Sequence, residues 1–258
     1  MDGSVPRRQT SWDWRAAGNY TFGGAGSGLA FTAALLTLAT GQHVIAAFLL
    51  APLLIGAGIA LVWAELGRPK QYLQVFFHPQ TSWKTREALL APVVAVVTLV
   101  AALLPFSLVL LLVLLASGGF LYAQARSLGE GDNIPVWRDR RIVPLILGTG
   151  VTEGAALLTV VATLTFSDDA LPALRLAFLL AVVRWPVWTA YRDALAGGAP
   201  RAFRERRVAV VLCVPAVLLA LAAVLPVFAG LVAVIGGVAA AMAGWWLKYV
   251  IIAAPETD

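Results

Sequence analysis

A chain of 258 residues that is 60% hydrophobic and 13% charged, with a mean hydropathy of +0.84, has too little polar surface to cover a water-soluble core. The formal net charge of +5 and the isoelectric point of about 9.8 do not point to nucleic acid, because the basic residues fall in short loops between apolar stretches. A single cysteine, Cys213, excludes an internal disulfide and a thiolate-ligated iron–sulfur cluster.

The first 20 or so residues are polar and lack the short apolar core and small-residue cleavage site of a secretory signal, so the first apolar stretch is expected to stay in the mature chain. Eight stretches can each cross a hydrocarbon core roughly 30 Å thick, which needs about 20 helical residues. They lie at 22–40, 43–65, 86–104, 106–126, 142–166, 170–191, 208–228 and 229–252. The expected fold is therefore all-α, a bundle of eight transmembrane helices forming one integral membrane domain over residues 1–258. Prolines 52, 92, 144, 186 and 215 fall within or near these spans. Neighbouring helices can satisfy the carbonyls they free.

Basic residues decorate one edge: Arg7, Arg8 and Arg15, then Arg68, Lys70, Lys84 and Arg86, then Arg126, Arg138, Arg140 and Arg141, then Arg192, Arg201, Arg204, Arg206 and Arg207, and last Lys248. The opposite edge has short connections and only Arg175 nearby. By the positive-inside rule the decorated edge and both termini of this multi-pass chain are cytoplasmic.

Polarity along the spans separates scaffold from candidate site. Spans three and seven are almost purely Ala, Leu and Val, and read as lipid-facing walls. Span one opens with a Gly24-x-x-x-Gly28 pair that lets another helix or a flat ligand approach its backbone. It is not a dinucleotide fingerprint, since the spacing differs and no strand precedes it. Charged groups in hydrocarbon cost at least about 2.5 kcal/mol unless paired or facing a cavity. Four stand there: Glu65, Glu153, Arg184 and Lys248. Glu153 is the deepest, and is expected either to pair with Arg184 or to carry a proton beside a polar path. Glu65 opens a dense cluster with Gly67, Arg68 and Pro69, followed by Ser82-Trp83-Lys84-Thr85-Arg86-Glu87. An aromatic belt with basic anchors explains Trp83 and Lys84. It leaves the carboxylate at the membrane edge unexplained, where proton exchange with a redox ligand is the alternative.

Leu66-Gly67-Arg68-Pro69, Thr81-Ser82-Trp83 with Arg86-Glu87, Ala116-Ser117-Gly118 with Leu121-Tyr122, Ile134-Pro135-Val136-Trp137-Arg138 and Gly244-Trp245-Trp246-Leu247-Lys248 together resemble the membrane anchor family of molybdenum oxidoreductases. That family includes the anchors of DMSO reductase, polysulfide reductase and NrfD-type complexes. The resemblance runs from about Trp14 to Val250 and implies a quinone-reactive subunit. It implies partners too: a ferredoxin-like iron–sulfur subunit carrying the clusters, and a molybdenum or tungsten catalytic subunit carrying molybdopterin. Carried over by residue, Asn19 and Tyr122 look like hydrogen-bond partners of a quinone carbonyl. Glu65 looks like the proton-exchanging group, with Arg68 as its electrostatic partner, and Glu153 is included among the cofactor-binding candidates. Within the family, Leu121 to Arg126, Ile134 to Arg138 and Thr149 to Gly154 look most like the anchors of phenylacetyl-CoA:acceptor oxidoreductase. A cytoplasmic sulfite-oxidising complex is the neighbouring alternative. Haem is not expected, because its axial ligation inside a membrane normally uses paired histidines. His43 and His78 lie at opposite edges, and no metal site is expected either. The competing readings are a proton- or ion-coupled transporter using Glu153 and Arg184, and a passive anchor without quinone chemistry.

Overall fold

The computed structural model describes residues 14–66, 82–130, 135–165, 170–195, 206–224 and 229–252. Within them lie helices α1 (Trp14–Thr40), α2 (Ile45–Leu66), α3 (Trp83–Leu103), α4 (Ser107–Gly129), the short α5 (Pro135–Arg138), α6 (Ile142–Thr165), α7 (Leu171–Ala194), α8 (Arg206–Val224) and α9 (Ala229–Ile252). Seven of these are long and apolar enough to cross a membrane, and the apolar part of α8, Val210–Val224, is shorter. The chain is thus an all-helical, multi-pass membrane protein.

Two edges emerge from the connections. At one, Gly41 turns the chain from α1 towards α2 with a positive φ of 76°, and His43 Nε2 lies 3.0 Å from the Ala101 carbonyl near the end of α3. At the other, Arg15 donates to the Ala64 carbonyl in the last turns of α2 (2.8 Å). There Glu130, just past α4, accepts the Trp83 backbone N–H that opens α3 (3.0 Å). This second edge carries the basic residues and is called the charged edge below.

Helix α5 closes the bundle at the charged edge. Trp137 is buried in an apolar cluster with Ile142, Leu145, Trp188 and Tyr191. Its indole N–H donates to the Ile251 carbonyl (2.9 Å), one of the terminal α9 carbonyls that lack an intrahelical donor. Tyr191 OH donates to the Val136 carbonyl (2.7 Å). Trp137→Phe keeps a smaller aromatic ring in the cluster but removes the indole N–H that serves a buried carbonyl. It is expected to lower stability by about 1–3 kcal/mol, measured as the midpoint of reversible denaturation in micelles.

Helix α1 sits at the centre, packed against α2, α4, α6 and α9. Gly28 is the reason α6 comes so near, whereas the missing Cβ of Gly24 leaves room for Lys248 and Gln124. A Cβ at Gly28 would run into the Gly150 carbonyl, and one at Gly154 would run into the Gly28 backbone. Glycines on both helices therefore let the two backbones touch, as small residues do where lipid supplies no hydrophobic drive. Threonines tie α6 to α7 across the same layer: Thr152 donates to the Leu180 carbonyl (3.3 Å) and Thr159 to the Ala173 carbonyl (3.1 Å).

Helix α1 begins eight residues before the expected first span. Its polar opening turns are not a solvated tail, because Ala16, Ala17 and Tyr20 join the apolar cluster under α5. The expectation of lipid-facing walls holds for the outer side of α8, where Val210, Val214, Val217 and Leu221 are exposed. It needs correction for α3. Val93, Val96 and Leu99 face outward, yet the opposite side of the same helix carries a buried glutamate.

Candidate functional site

That glutamate, Glu87, sits one turn into α3 from the charged edge and is 8% exposed. Two other helices supply its partners. Asn19 Nδ2 on α1 donates to Oε1 at 3.3 Å, Gln124 Nε2 on α4 donates to the same oxygen at 3.1 Å, and Ser127 Oγ donates to Oε2 at 3.2 Å. Gln124 and Ser127 are three apart on α4 and so share a face. Ser127 Oγ also shares a hydrogen bond of 2.7 Å with Tyr20 OH. A buried carboxylate is tolerable only with such a shell of donors.

A second polar group lies deeper. Lys248 Nζ on α9 forms an ion pair of 2.6 Å with Glu153 Oε2 on α6, and both side chains are fully buried. Eleven residues separate Glu153 from the start of α6, so it stands about 16 Å along the helix. A Cβ at Gly244 would strike the Glu153 carboxyl. Gly244 thus makes room for the acid, and Lys248, one turn later on α9, meets it. Arg184 on α7 is 3% exposed and near enough to act electrostatically on both partners.

Lys248 also joins the two groups. It donates to the Tyr20 backbone carbonyl at 2.9 Å, while Tyr20 OH reaches back to the Ser127–Glu87 group. Gly24 is the point of closest passage. A Cβ there would collide with Lys248 Nζ and stand 3.0 Å from Gln124 Oε1. These two polar atoms are therefore within roughly two hydrogen-bond lengths of each other.

The sequence-derived candidates fare differently. Asn19 is half-buried at the Glu87 group, and its own carbonyl accepts from Gln124 (3.4 Å). Glu65 falls in the last turn of α2, the helix end held by Arg15. Arg68 lies outside the described residues, as do His78, Thr81 and Ile134. Tyr122 is exposed on the outer face of α4, edge-on to the Trp83 ring at 5.4 Å. Arg86 and Arg126 bring their guanidinium groups to 4.2 Å and 5.3 Å from that indole. This outer corner is the aromatic belt with basic anchors foreseen for Trp83.

Two readings are corrected. The partner within salt-bridge distance of Glu153 is Lys248, with Arg184 as a further neighbour rather than the pairing residue. Lys248 itself was counted with the charges of the decorated edge but is turned inward and fully buried. Gln124 and Ser127 were missed as functional candidates, and Glu87 was seen only as one charge in a cluster. The available signal was two polar residues three apart in α4, facing a carboxylate that opens an apolar helix. Among the described residues no group of three or more His, Cys, Asp or Glu side chains could hold a metal ion.

Residues 5–106 match the family model described as polysulphide reductase, NrfD. That stretch takes in α1, α2 and α3, and with them Asn19, Tyr20, Glu65 and Glu87. No curated protein matches the chain.

Proposed function

We propose that this chain is the membrane anchor of a quinone-linked oxidoreductase complex, passing electrons between an iron–sulfur subunit and the membrane quinone pool. The observation that carries the reading is the family match over residues 5–106, which takes in α1 and α3, the helices that carry Asn19 and Glu87 of the polar group at the charged edge. A quinone is a ring with oxygen at opposite ends, able to take up two electrons and two protons. The residues present suit it. Asn19 offers an amide donor, and Gln124 Oε1 is a buried acceptor with no protein partner among the described residues. Glu65, at the end of α2, is the proton-exchanging group in this reading, with Arg68 beside it in the chain; Tyr122 is the candidate for the ring's other oxygen.

The same proposal makes α8 the eighth span and puts the charged edge with both termini in the cytoplasm of a bacterial inner membrane. The iron–sulfur subunit and a molybdenum or tungsten catalytic subunit then sit on the cytoplasmic side. A CoA thioester, as in phenylacetyl-CoA:acceptor oxidoreductase, suits that side because it does not leave the cytoplasm. The transporter reading is not favoured. The family model that matches is described as polysulphide reductase, NrfD, which supports the redox reading and not a transporter.

The test begins with mild-detergent purification of the tagged chain from native membranes. Iron–sulfur and molybdenum or tungsten subunits should accompany it, together with quinone. In that complex Glu65→Gln should lower quinone-linked turnover about a hundredfold, while the soluble subunits keep their activity with an artificial acceptor. Isolation of the chain alone would reject the anchor reading. Retention of both activities in the variant would reject the site.

A further inference from the structure

The deep ion pair is larger than a packing device requires, and its unsatisfied atoms lie in a pattern. Buried polar atoms with no protein partner among the described residues include Gln124 Oε1, Thr149 Oγ1, Glu153 Oε1 and Arg184 Nη1. Native interiors normally supply such atoms with a partner, and where protein does not, ordered water does. Gln124 Oε1 and Lys248 Nζ both lie against the place that a Cβ at Gly24 would occupy. Lys248 has three N–H donors. One is directed to Tyr20 and one to Glu153. A third remains to bridge, directly or through one water, towards Gln124.

The charges are balanced over the two groups and not within either. Glu153, Lys248 and Arg184 together carry one excess positive charge, which Glu87 compensates across Gly24.

We propose that Glu87, Gln124, Lys248 and Glu153 form a proton half-channel that loads Glu153, in the middle of the bundle, from the charged edge, with Gly24 as its aperture. A proton from water at the edge first binds the Glu87 carboxylate. Lys248 then releases the proton it shares with Glu153: its N–H bond breaks, an O–H bond forms at Glu153 Oε2, and a neutral amine remains. Water at Gln124 Oε1 passes a proton to that amine and is reprotonated as the Glu87 O–H bond breaks. The net change is one proton moved from the aqueous edge to Glu153. No electron moves, and Glu87 and Lys248 return to their starting charges. Tyr20, Ser127 and Asn19 hold Glu87 in place, while Arg184 offsets the charge of Glu153 before loading.

This inference does not rest on the quinone reading, and its test needs neither quinone nor partner subunits. The full chain in lipid nanodiscs is subjected to a rapid drop in pH and followed by infrared difference spectroscopy in the carboxylic acid region. The Glu153 band is identified by its shift in Glu153→Asp. In the unmodified chain that band should appear. In Glu87→Gln its appearance should be slowed about a hundredfold, with recovery of much of the rate in Glu87→Asp. Gly24→Ala should slow it as well. If Gly24→Ala fails to fold, as judged by circular dichroism, the Glu87 variants decide. Absence of a Glu153 band in the unmodified chain, or an unchanged rate in Glu87→Gln, overturns the half-channel.

Discussion

Glu153→Gln is expected to destabilise the folded chain by about 3–5 kcal/mol, the range for removing one partner of a buried ion pair, and by more than Lys248→Met does. The asymmetry follows from the neighbours. Glu153 is the acceptor for Lys248 at 2.6 Å and the counter-charge felt by Arg184. Its loss leaves two buried cations on α7 and α9 with no anion between them. Loss of Lys248 instead leaves Glu153 and Arg184, one of each sign, and an arginine Nη1 with no protein partner among the described residues can turn to the acid. Reversible denaturation in micelles measures both. Equal losses in the two variants would mean that Arg184 plays no part in balancing the pair.

The double substitution Glu153→Gln with Lys248→Met sharpens the point. In a simple isolated pair, replacing both partners restores much of the stability lost by replacing one. Here Arg184 would remain as a buried charge without a carboxylate, so recovery should be small.

Much of the architecture is legible in the sequence because hydrocarbon imposes a length and a composition on each helix. The span bounds around α2, α4, α6 and α9 follow from apolar runs alone. The opening of α1 does not, because Asn19 and Tyr20 are polar and become interior only when Glu87 and Ser127 arrive from α3 and α4. Lys248 misleads for a related reason. It lies four residues from the end of α9, where a lysine normally extends to the membrane surface, and only Glu153, 95 residues away in the chain, shows why it turns inward. Pairings between helices depend on which helices are neighbours, and hydropathy carries no information about that. The Gly24-x-x-x-Gly28 pair was readable as a contact, whereas its partner glycines on α6 were not assigned to it. The part of the candidate site that rested on Arg68 lies outside the described residues, while the part that the geometry assembles is centred on Glu87.

Gly154→Ala is expected to be among the most damaging single-methyl changes in the chain, and Gly148→Ala in the same helix supplies the contrast. A Cβ at Gly154 meets the backbone of Gly28 and Leu29, whereas a Cβ at Gly148 meets nothing within 4 Å. Backbone cannot move aside as the end of a side chain can, so the added methyl at 154 must push α6 away from α1. Overpacking typically costs about 1–3 kcal/mol, and the upper end is expected here. Separation of these two helices also loosens their contact with Lys248 and Glu153, which lie on the same layer. Gly148→Ala should be neutral or slightly stabilising, since alanine is favoured over glycine inside a helix by about 0.5–1 kcal/mol. Denaturation midpoints of the two variants, measured side by side, test the contact. If both substitutions behave alike, α1 and α6 are not in backbone contact, and the aperture at Gly24 and the placement of Glu153 lose the scaffold on which they depend.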